Sequence, residues 1–138
     1  MAAKDEITTV APQPDRYQIA LFYYEILLAL LMMGLGLRQW ALIVGLLGRG
    51  IFEAMPVATK IMTMYLAVAD LVAAVGLWMR VAWGRVIFVA VAISEIAFHT
   101  AFVATYGPAW VLVSIHGTAL AIYALLAVLA RRRPAETA

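Results

Sequence analysis

The sequence predicts an all-α fold, a polytopic membrane four-helix bundle, and three observations support this prediction. Hydrophobic residues make up 66% of the 138 positions and charged residues only 13%, whereas a soluble domain is about half apolar and about a quarter charged. The apolar residues are gathered into four runs of about 20 residues, the length that a helix needs to cross roughly 30 Å of hydrocarbon. The sequence also lacks the polar and apolar alternation of a membrane β-barrel.

Short connections separate the four predicted spans. The first span ends where Gly34 and Gly36 precede Arg38, and the second stops at Arg80. The third ends in a turn before Pro108, and the fourth stops at a run of three arginines. The predicted spans are residues 17–37, 61–79, 86–105 and 109–130.

Residues 39–55, between the first two spans, are apolar in part but are interrupted by Gly45, Gly48 and Gly50. If the first helix continued through the apolar part, it would be roughly 48 Å long, which is too long for one crossing without strong tilt. We therefore expect an interfacial or re-entrant segment here. Pro56 is suited to the first turn of the next helix.

The spans define the predicted domain organisation. Residues 1–16 are polar and lack the charged-then-apolar order of a signal peptide, so we interpret them as a flexible cytoplasmic tail. Residues 17–133 form the transmembrane domain, and residues 134–138 form a C-terminal tail. The chain has no Cys, which excludes disulfides and thiolate metal sites.

The basic residues predict the orientation of the bundle. With four spans, seven of the ten Lys and Arg residues fall on the side of the termini and the middle loop, which predicts that both termini are cytoplasmic in a bacterial inner membrane. We interpret these residues as topology-determining flanks and not as a nucleic-acid-binding surface. The seven are Lys4, Arg16, Arg80, Arg85, Arg131, Arg132 and Arg133.

Five acidic or histidine side chains lie inside the predicted spans, where a charged group costs about 2.5–3.5 kcal/mol on insertion scales. Counting along each helix from the basic flanks places Glu25, Asp70 and Glu95 roughly 14–15 Å deep. The same count places His99 and His116 roughly 21–22 Å deep. The sequence therefore predicts an acidic tier next to a histidine tier, with Glu95 and His99 on one helical face.

Small residues on the same helices predict close helix packing around these groups. Small side chains let neighbouring transmembrane helices approach each other, so the polar residues are expected to point into the bundle. The residues assigned to helix packing are Ala67, Ala74, Ala97, Ala101 and Gly117.

The buried polar residues have several interpretations. The first is structural, in which hydrogen bonds between neutral partners fix the geometry of the helices. The second is proton or cation handling by Glu25, Asp70 and Glu95, because three carboxyls in one low-dielectric tier cannot all be ionised. The third is a b-type haem or a metal ion held by His99 and His116. The first interpretation leads, and with it no resident cofactor is expected.

Two family resemblances follow from short motifs. The segments 72–78, 83–86 and 94–96 (Val-Ala-Ala-Val-Gly-Leu-Trp, Trp-Gly-Arg-Val and Ser-Glu-Ile) resemble a small uncharacterised family of bacterial four-span membrane proteins. The sequence is more loosely similar to DoxX-like proteins, with Asp70, Gly76 and Arg80 at the positions of an acid, a glycine and a basic turn. That second resemblance implies a partner in quinone-linked redox chemistry.

No motif of a soluble enzyme is found in the sequence. The leading functional hypothesis is therefore a non-catalytic accessory, assembly or interaction subunit of a larger membrane complex. The alternatives are a small proton- or cation-coupled carrier and a haem- or quinone-linked redox subunit. The expected partners are membrane lipid and either another membrane protein or further copies of the chain, with no nucleic acid.

Overall fold

The computed structural model describes residues 15–132, and this part of the chain is 84% helical with no strand. Four of its six helices are long and apolar enough to cross a membrane, which confirms the predicted all-α polytopic bundle. The predicted tails up to residue 14 and from 134 onwards, and Arg133, lie outside the described residues. The helices are α1 (Arg16–Ile43), α2 (Ile51–Ala54), α3 (Val57–Trp78), α4 (Ala82–Thr100), α5 (Val103–Tyr106) and α6 (Trp110–Arg131).

Helix α1 is longer than the sequence predicted. It continues through Gly34 and Gly36 to Ile43, a length of 28 residues and about 42 Å. Glycine weakens a helix in water, but a transmembrane segment has no other partner for its backbone groups and keeps the helical hydrogen bonds. Helix α1 ends only before Gly45, whose φ is +78°.

The other boundaries differ less from the prediction. Residues 44–50 form turns that lead into α2, and Pro56 precedes α3 as its N-cap residue instead of lying within its first turn. The predicted third span, residues 86–105, is divided into α4 and the short α5. The turn after α5 contains Gly107, whose φ of +77° suits glycine.

The four long helices form a ring in which α1 contacts α3 and α6, and α4 contacts the same two helices. Helices α1 and α3 are antiparallel and share the most extensive interface. Near the middle of that interface, Gly36 lies against Asp70 and Leu71. One turn further along α1, the Trp40 indole N–H donates a 3.0 Å hydrogen bond to the Ala67 carbonyl of α3. The main core lies inside this ring and contains residues from all four long helices: Leu28, Ala29, Met32, Ala73, Ala74, Leu77, Phe88, Ala92 and Ala119.

A pair of glycines sets the crossing of α3 and α4. Gly76 and Gly84 are both buried, and a Cβ atom added to either would overlap the backbone of the other. The Gly76 position is also closed by the Trp83 ring. The two helix backbones therefore touch at this point, which fixes the turn that joins α3 to α4.

Candidate functional site

The structure contains two separate groups of ionisable side chains, each of which includes buried carboxyl groups. The first, the arginine cluster, consists of Glu25, Arg80 and Arg85 at the end of the bundle where α3 turns into α4. The Arg85 Nε donates a 2.7 Å hydrogen bond to Glu25 Oε1, and Arg85 Nη2 donates a 3.3 Å bond to Oε2. The Arg80 Nε lies 3.5 Å from Oε2. The Glu25 side chain is only 1% exposed, whereas both arginines are partly exposed.

The local backbone explains how Arg80 reaches Glu25. Helix α3 ends in a Schellman motif, in which Arg80 N–H donates to the Leu77 carbonyl and Val81 N–H donates to the Gly76 carbonyl. Arg80 takes the left-handed position of this motif, with φ of 57°, where glycine is the usual residue. Its guanidinium also lies over the Phe22 ring, 4.5 Å from the ring centroid. An arginine in a position that favours glycine points to a role for its side chain.

The second group, the inner cluster, consists of Asp70, Glu95, His99 and His116, all of which are buried. The His116 Nε2 lies 3.2 Å from Glu95 Oε2, which joins α6 to α4. The other ring nitrogen of His116, Nδ1, lies 3.0 Å from the Leu112 carbonyl oxygen. Because a carbonyl only accepts, Nδ1 carries a hydrogen. Nε2 and Glu95 Oε2 are both buried and neither has a hydrogen-bond partner in the described range, so the two side chains are in close contact without a hydrogen bond between them.

His99 has a different partner. Its Nδ1 lies 2.9 Å from the Gly107 carbonyl oxygen, so Nδ1 donates a hydrogen bond that ties the turn after α5 back to α4. His99 also lies within electrostatic range of Glu95 on the same helix. His116 is therefore the imidazole in contact with Glu95, while His99 links α4 to the turn after α5.

Asp70 has no polar partner among the described residues. Both of its carboxyl oxygens are buried and neither has a hydrogen-bond partner. The backbone of α1 covers the residue, because a Cβ added to Gly36 would lie 3.2 Å from the Asp70 Cβ and 2.9 Å from Leu71 Cγ. The Glu95 carboxyl lies within electrostatic range of Asp70. An ionised carboxylate is costly in such surroundings, and a neutral carboxyl costs much less.

The structure separates Glu25 from the predicted acidic tier. Gly36, and not Glu25, is the α1 residue opposite Asp70, and Glu25 precedes Gly36 by eleven positions, about 16 Å along the helix. The predicted depth was counted from Arg16 as if all basic flanks lay at one level. Arg80 and Arg85 instead reach Glu25 directly.

The residues assigned to helix packing are found in three kinds of surroundings. Ala67 and Ala74 are buried in the core. Ala97 is half-buried, whereas Ala101 is exposed beyond the end of α4. A Cβ added to Gly117 would meet no atom within 4 Å, so Gly117 makes no close helix contact within the described chain.

Sequence reasoning missed the partners of Glu25, because it treated Arg80 and Arg85 only as topology flanks. The signal that was available is the short turn between two glycine-containing helices, which holds two arginines in one place. The described residues include no group of three or more His, Cys, Asp or Glu side chains placed to hold a metal ion. Haem or metal binding by His99 and His116 stays a prediction, and an absorption spectrum and metal analysis of the purified protein test it.

The fold and these clusters define the chain as a polytopic α-helical membrane protein with two separate polar clusters. The chain belongs to the Family of unknown function (DUF6163), whose family model matches residues 19–134. Membership of an uncharacterised family is thereby confirmed, whereas similarity to DoxX-like proteins is not shown. No curated protein and no solved structure matches the chain.

Proposed function

We propose that this protein is a non-catalytic interaction subunit of a larger complex in the bacterial inner membrane, and that it binds a transmembrane helix of its partner along the outer face of α6. The observation that carries the proposal is the low burial of α6. Only 11% of its most apolar stretch is buried within the chain, compared with 50% for α3. Of its 22 residues, only His116 and Ala119 are buried.

The outer face of α6 has the regular spacing of a helix-packing surface. Six of its exposed residues recur at alternating intervals of three and four positions, the repeat of a helix that packs along another helix. The residues near the centre are small and would let a partner helix approach closely. We call this face the α6 stripe; it consists of Val111, Ser114, Thr118, Ala121, Leu125 and Val128.

Two hydroxyls distinguish this stripe from the outer face of α4. Ser94 and Thr100 on α4 donate hydrogen bonds to carbonyls one turn earlier in their own helix. Ser114 and Thr118 on α6 are both exposed, and neither hydroxyl forms a hydrogen bond within the described part of the chain. In hydrocarbon an unpaired hydroxyl is unfavourable, and a polar group on a neighbouring helix would pair with it.

Photocrosslinking tests this proposal, because the chain has no Cys and accepts a single labelled cysteine without background. A benzophenone label at Thr118 or Leu125 is expected to form protein adducts in native membranes. The same label at Val68 or Val75, which are exposed on α3, serves as the matched control and is expected to label lipid only. Equal protein adducts from both faces would contradict the proposal. An adduct of twice the chain mass would replace the accessory role with self-association.

The proposed orientation places both termini in the cytoplasm. Supporting it, Arg85 and Arg131 line one cavity and Arg80 shares Glu25 with Arg85, so these basic residues gather at one end of the bundle, as expected for a cytoplasmic side. Cysteines introduced at Arg132 and Leu46 test this, using a membrane-impermeant thiol reagent on spheroplasts. Reaction at position 46 alone is expected, and reaction at position 132 alone would reverse the orientation.

A second candidate function is proton handling by the inner cluster. The observation that favours it is the 3.2 Å contact between Glu95 Oε2 and His116 Nε2, together with the unpartnered carboxyl of Asp70. Such groups inside a membrane are typical of proton pathways. In liposomes under an imposed potential, wild-type protein would then pass protons, and Glu95→Gln or Asp70→Asn would abolish the flux. Glu53→Gln, at an exposed acid, is the matched control, and equal flux in all variants would exclude this function.

A further inference from the structure

A cavity of about 400 Å³ opens between α4 and α6 at the same end of the bundle as the arginine cluster. The polar part of its lining consists of two guanidinium groups and a phenol, and the rest of the lining is apolar. Two of the apolar residues, Ala82 and Val86, are exposed. We call it the α4/α6 cavity; it is lined by Ala82, Arg85, Val86, Val89, Tyr123 and Arg131.

Arg85 has an unused edge that can serve this cavity. Its Nε and Nη2 bind the two oxygens of Glu25 in a side-on arrangement. A guanidinium has five N–H donors, so both hydrogens of Nη1 and one hydrogen of Nη2 remain. No contact of Nη1 is found within the described residues. The pairing with Glu25 therefore orients Arg85 while leaving its end-on edge for a second oxyanion.

The other polar groups of the lining are also available. Arg131 forms no ion pair or hydrogen bond with any residue of the described range, and it is exposed. The Tyr123 ring packs edge-on against Phe88, with ring centroids 5.8 Å apart, and its hydroxyl forms no hydrogen bond within the described residues. Arg85 and Arg131 are both electrostatic neighbours of Tyr123. The three side chains thus converge on one space from two helices.

We propose that the α4/α6 cavity binds the phosphate of an anionic phospholipid, with the start of an acyl chain lying along Val86 and Val89. Arginines present the paired donors that suit a phosphate, and basic pockets between transmembrane helices are typical sites for anionic headgroups. Val86 is 68% exposed and lies deeper along α4 than Arg85. An apolar wall of this kind contacts an acyl chain, whereas inorganic phosphate would gain nothing from it.

The charge at this end of the bundle agrees with an anionic occupant. Among the described residues here, five arginines face two carboxylates, which leaves an excess of three positive charges. Glu25 is already fully engaged by two of the arginines. The arginines are Arg16, Arg80, Arg85, Arg131 and Arg132, and the carboxylates are Asp15 and Glu25.

Lipid titration of the full-length protein in a neutral detergent, followed by native mass spectrometry, tests this proposal. Phosphatidylglycerol is expected to bind more tightly than phosphatidylcholine. Arg131→Gln is expected to weaken phosphatidylglycerol binding about fivefold, the factor for one basic residue near an anionic surface. The matched control is Arg132→Gln. It removes the same charge from the next residue along the chain, which does not line the cavity, and this variant is expected to bind phosphatidylglycerol as tightly as the wild type.

A second variant separates a specific site from general charge attraction. Tyr123→Phe keeps the ring and the net charge but removes the hydroxyl, and it is expected to weaken phosphatidylglycerol binding about threefold. Equal losses in Arg131→Gln and Arg132→Gln would overturn the proposal, as would equal affinity for the two phospholipids. Binding of inorganic phosphate as tight as that of phosphatidylglycerol would also overturn it, because the apolar wall would then have no role.

Discussion

Glu25 and Asp70 are both carboxyls that are fully buried in a membrane bundle, yet their surroundings are opposite. Glu25 lies between two arginines, one of which binds both of its oxygens. Asp70 has no polar partner within the described chain and is covered by the backbone of α1 at Gly36. A buried carboxyl can therefore be accommodated either as an ion that is paired at the end of a bundle or as a neutral group in its interior.

The comparison also separates two kinds of role. The arginine cluster is part of the architecture, because it ties α1 to the turn between α3 and α4. The inner cluster contributes little architecture at Asp70, but Glu95 and His116 bring two titratable groups into contact between α4 and α6. Substitutions in the arginine cluster should therefore lower the stability of the fold. Substitutions in the inner cluster should mainly change which groups carry protons.

The largest loss of stability is expected from Gly84→Val, which disrupts the arginine cluster by separating the two helices that position it. The added side chain would overlap the backbone of Gly76 and push α3 and α4 apart, so that Arg85 no longer reaches Glu25. Overpacking at such a contact costs roughly 3 kcal/mol, measurable as a lower melting temperature in detergent. Gly117→Val is the control, because its Cβ meets open space; equal losses in the two variants would contradict the tight crossing.

The next largest effect is expected from Glu25→Gln, which leaves Arg80 and Arg85 without their anion. Removing one partner of a buried ion pair costs about 3–5 kcal/mol. The arginine side chains are 46% and 36% exposed and can regain water, so we expect about 1–3 kcal/mol. Unfolding in detergent measures the loss against Glu53→Gln, an exposed acid. A Glu25→Gln variant as stable as this control would show that the ion pair does not hold the turn.

A smaller effect is expected at Arg80, where backbone strain and side-chain contacts oppose each other. Arg80→Ala loses the contacts with Glu25 and Phe22 and keeps the left-handed backbone. Arg80→Gly loses the same contacts but relieves the backbone, which is worth about 1 kcal/mol. The glycine variant should therefore be the more stable of the two by about that amount. Equal stability in chemical unfolding would show that the positive φ carries no strain.

The smallest effect is expected from Asp70→Asn. A neutral carboxyl and an amide have almost the same size and polarity, so the exchange should change the free energy of unfolding by less than about 0.5 kcal/mol. If Asp70 instead held a cation, the amide would lose that ion and the variant would be clearly less stable. Unfolding measured in parallel with Glu25→Gln makes the contrast between the two carboxyls quantitative.

Much of the fold was predictable because span length and hydropathy are local properties of the sequence. The four spans and the burial of the five acidic and histidine residues within them follow from such properties. The extent of α1 beyond residue 37 did not follow, because Gly34 and Gly36 end a helix in water more readily than in lipid.

The pairing of the polar residues was not predictable, since it depends on how far one helix slides along another. Contact between Gly36 and Asp70 sets the register of α1 on α3, and no count within a single helix contains that information. Spacing of four residues suggested that Glu95 meets His99, but the nearest imidazole nitrogen given by the fold is that of His116 on α6. The register of α1 on α3 and the contact of Glu95 with His116 both depend on how separate helices pack together.

Infrared spectroscopy of the protein in lipid at neutral pH tests directly whether Glu25 is ionised and Asp70 is neutral, as their surroundings indicate. A protonated buried carboxyl gives a carbonyl band that an ionised one lacks. We expect Asp70→Asn to remove intensity from this band and Glu25→Gln to leave it unchanged. Loss of the band in Glu25→Gln, with none in Asp70→Asn, would contradict the distinction between the two carboxyls.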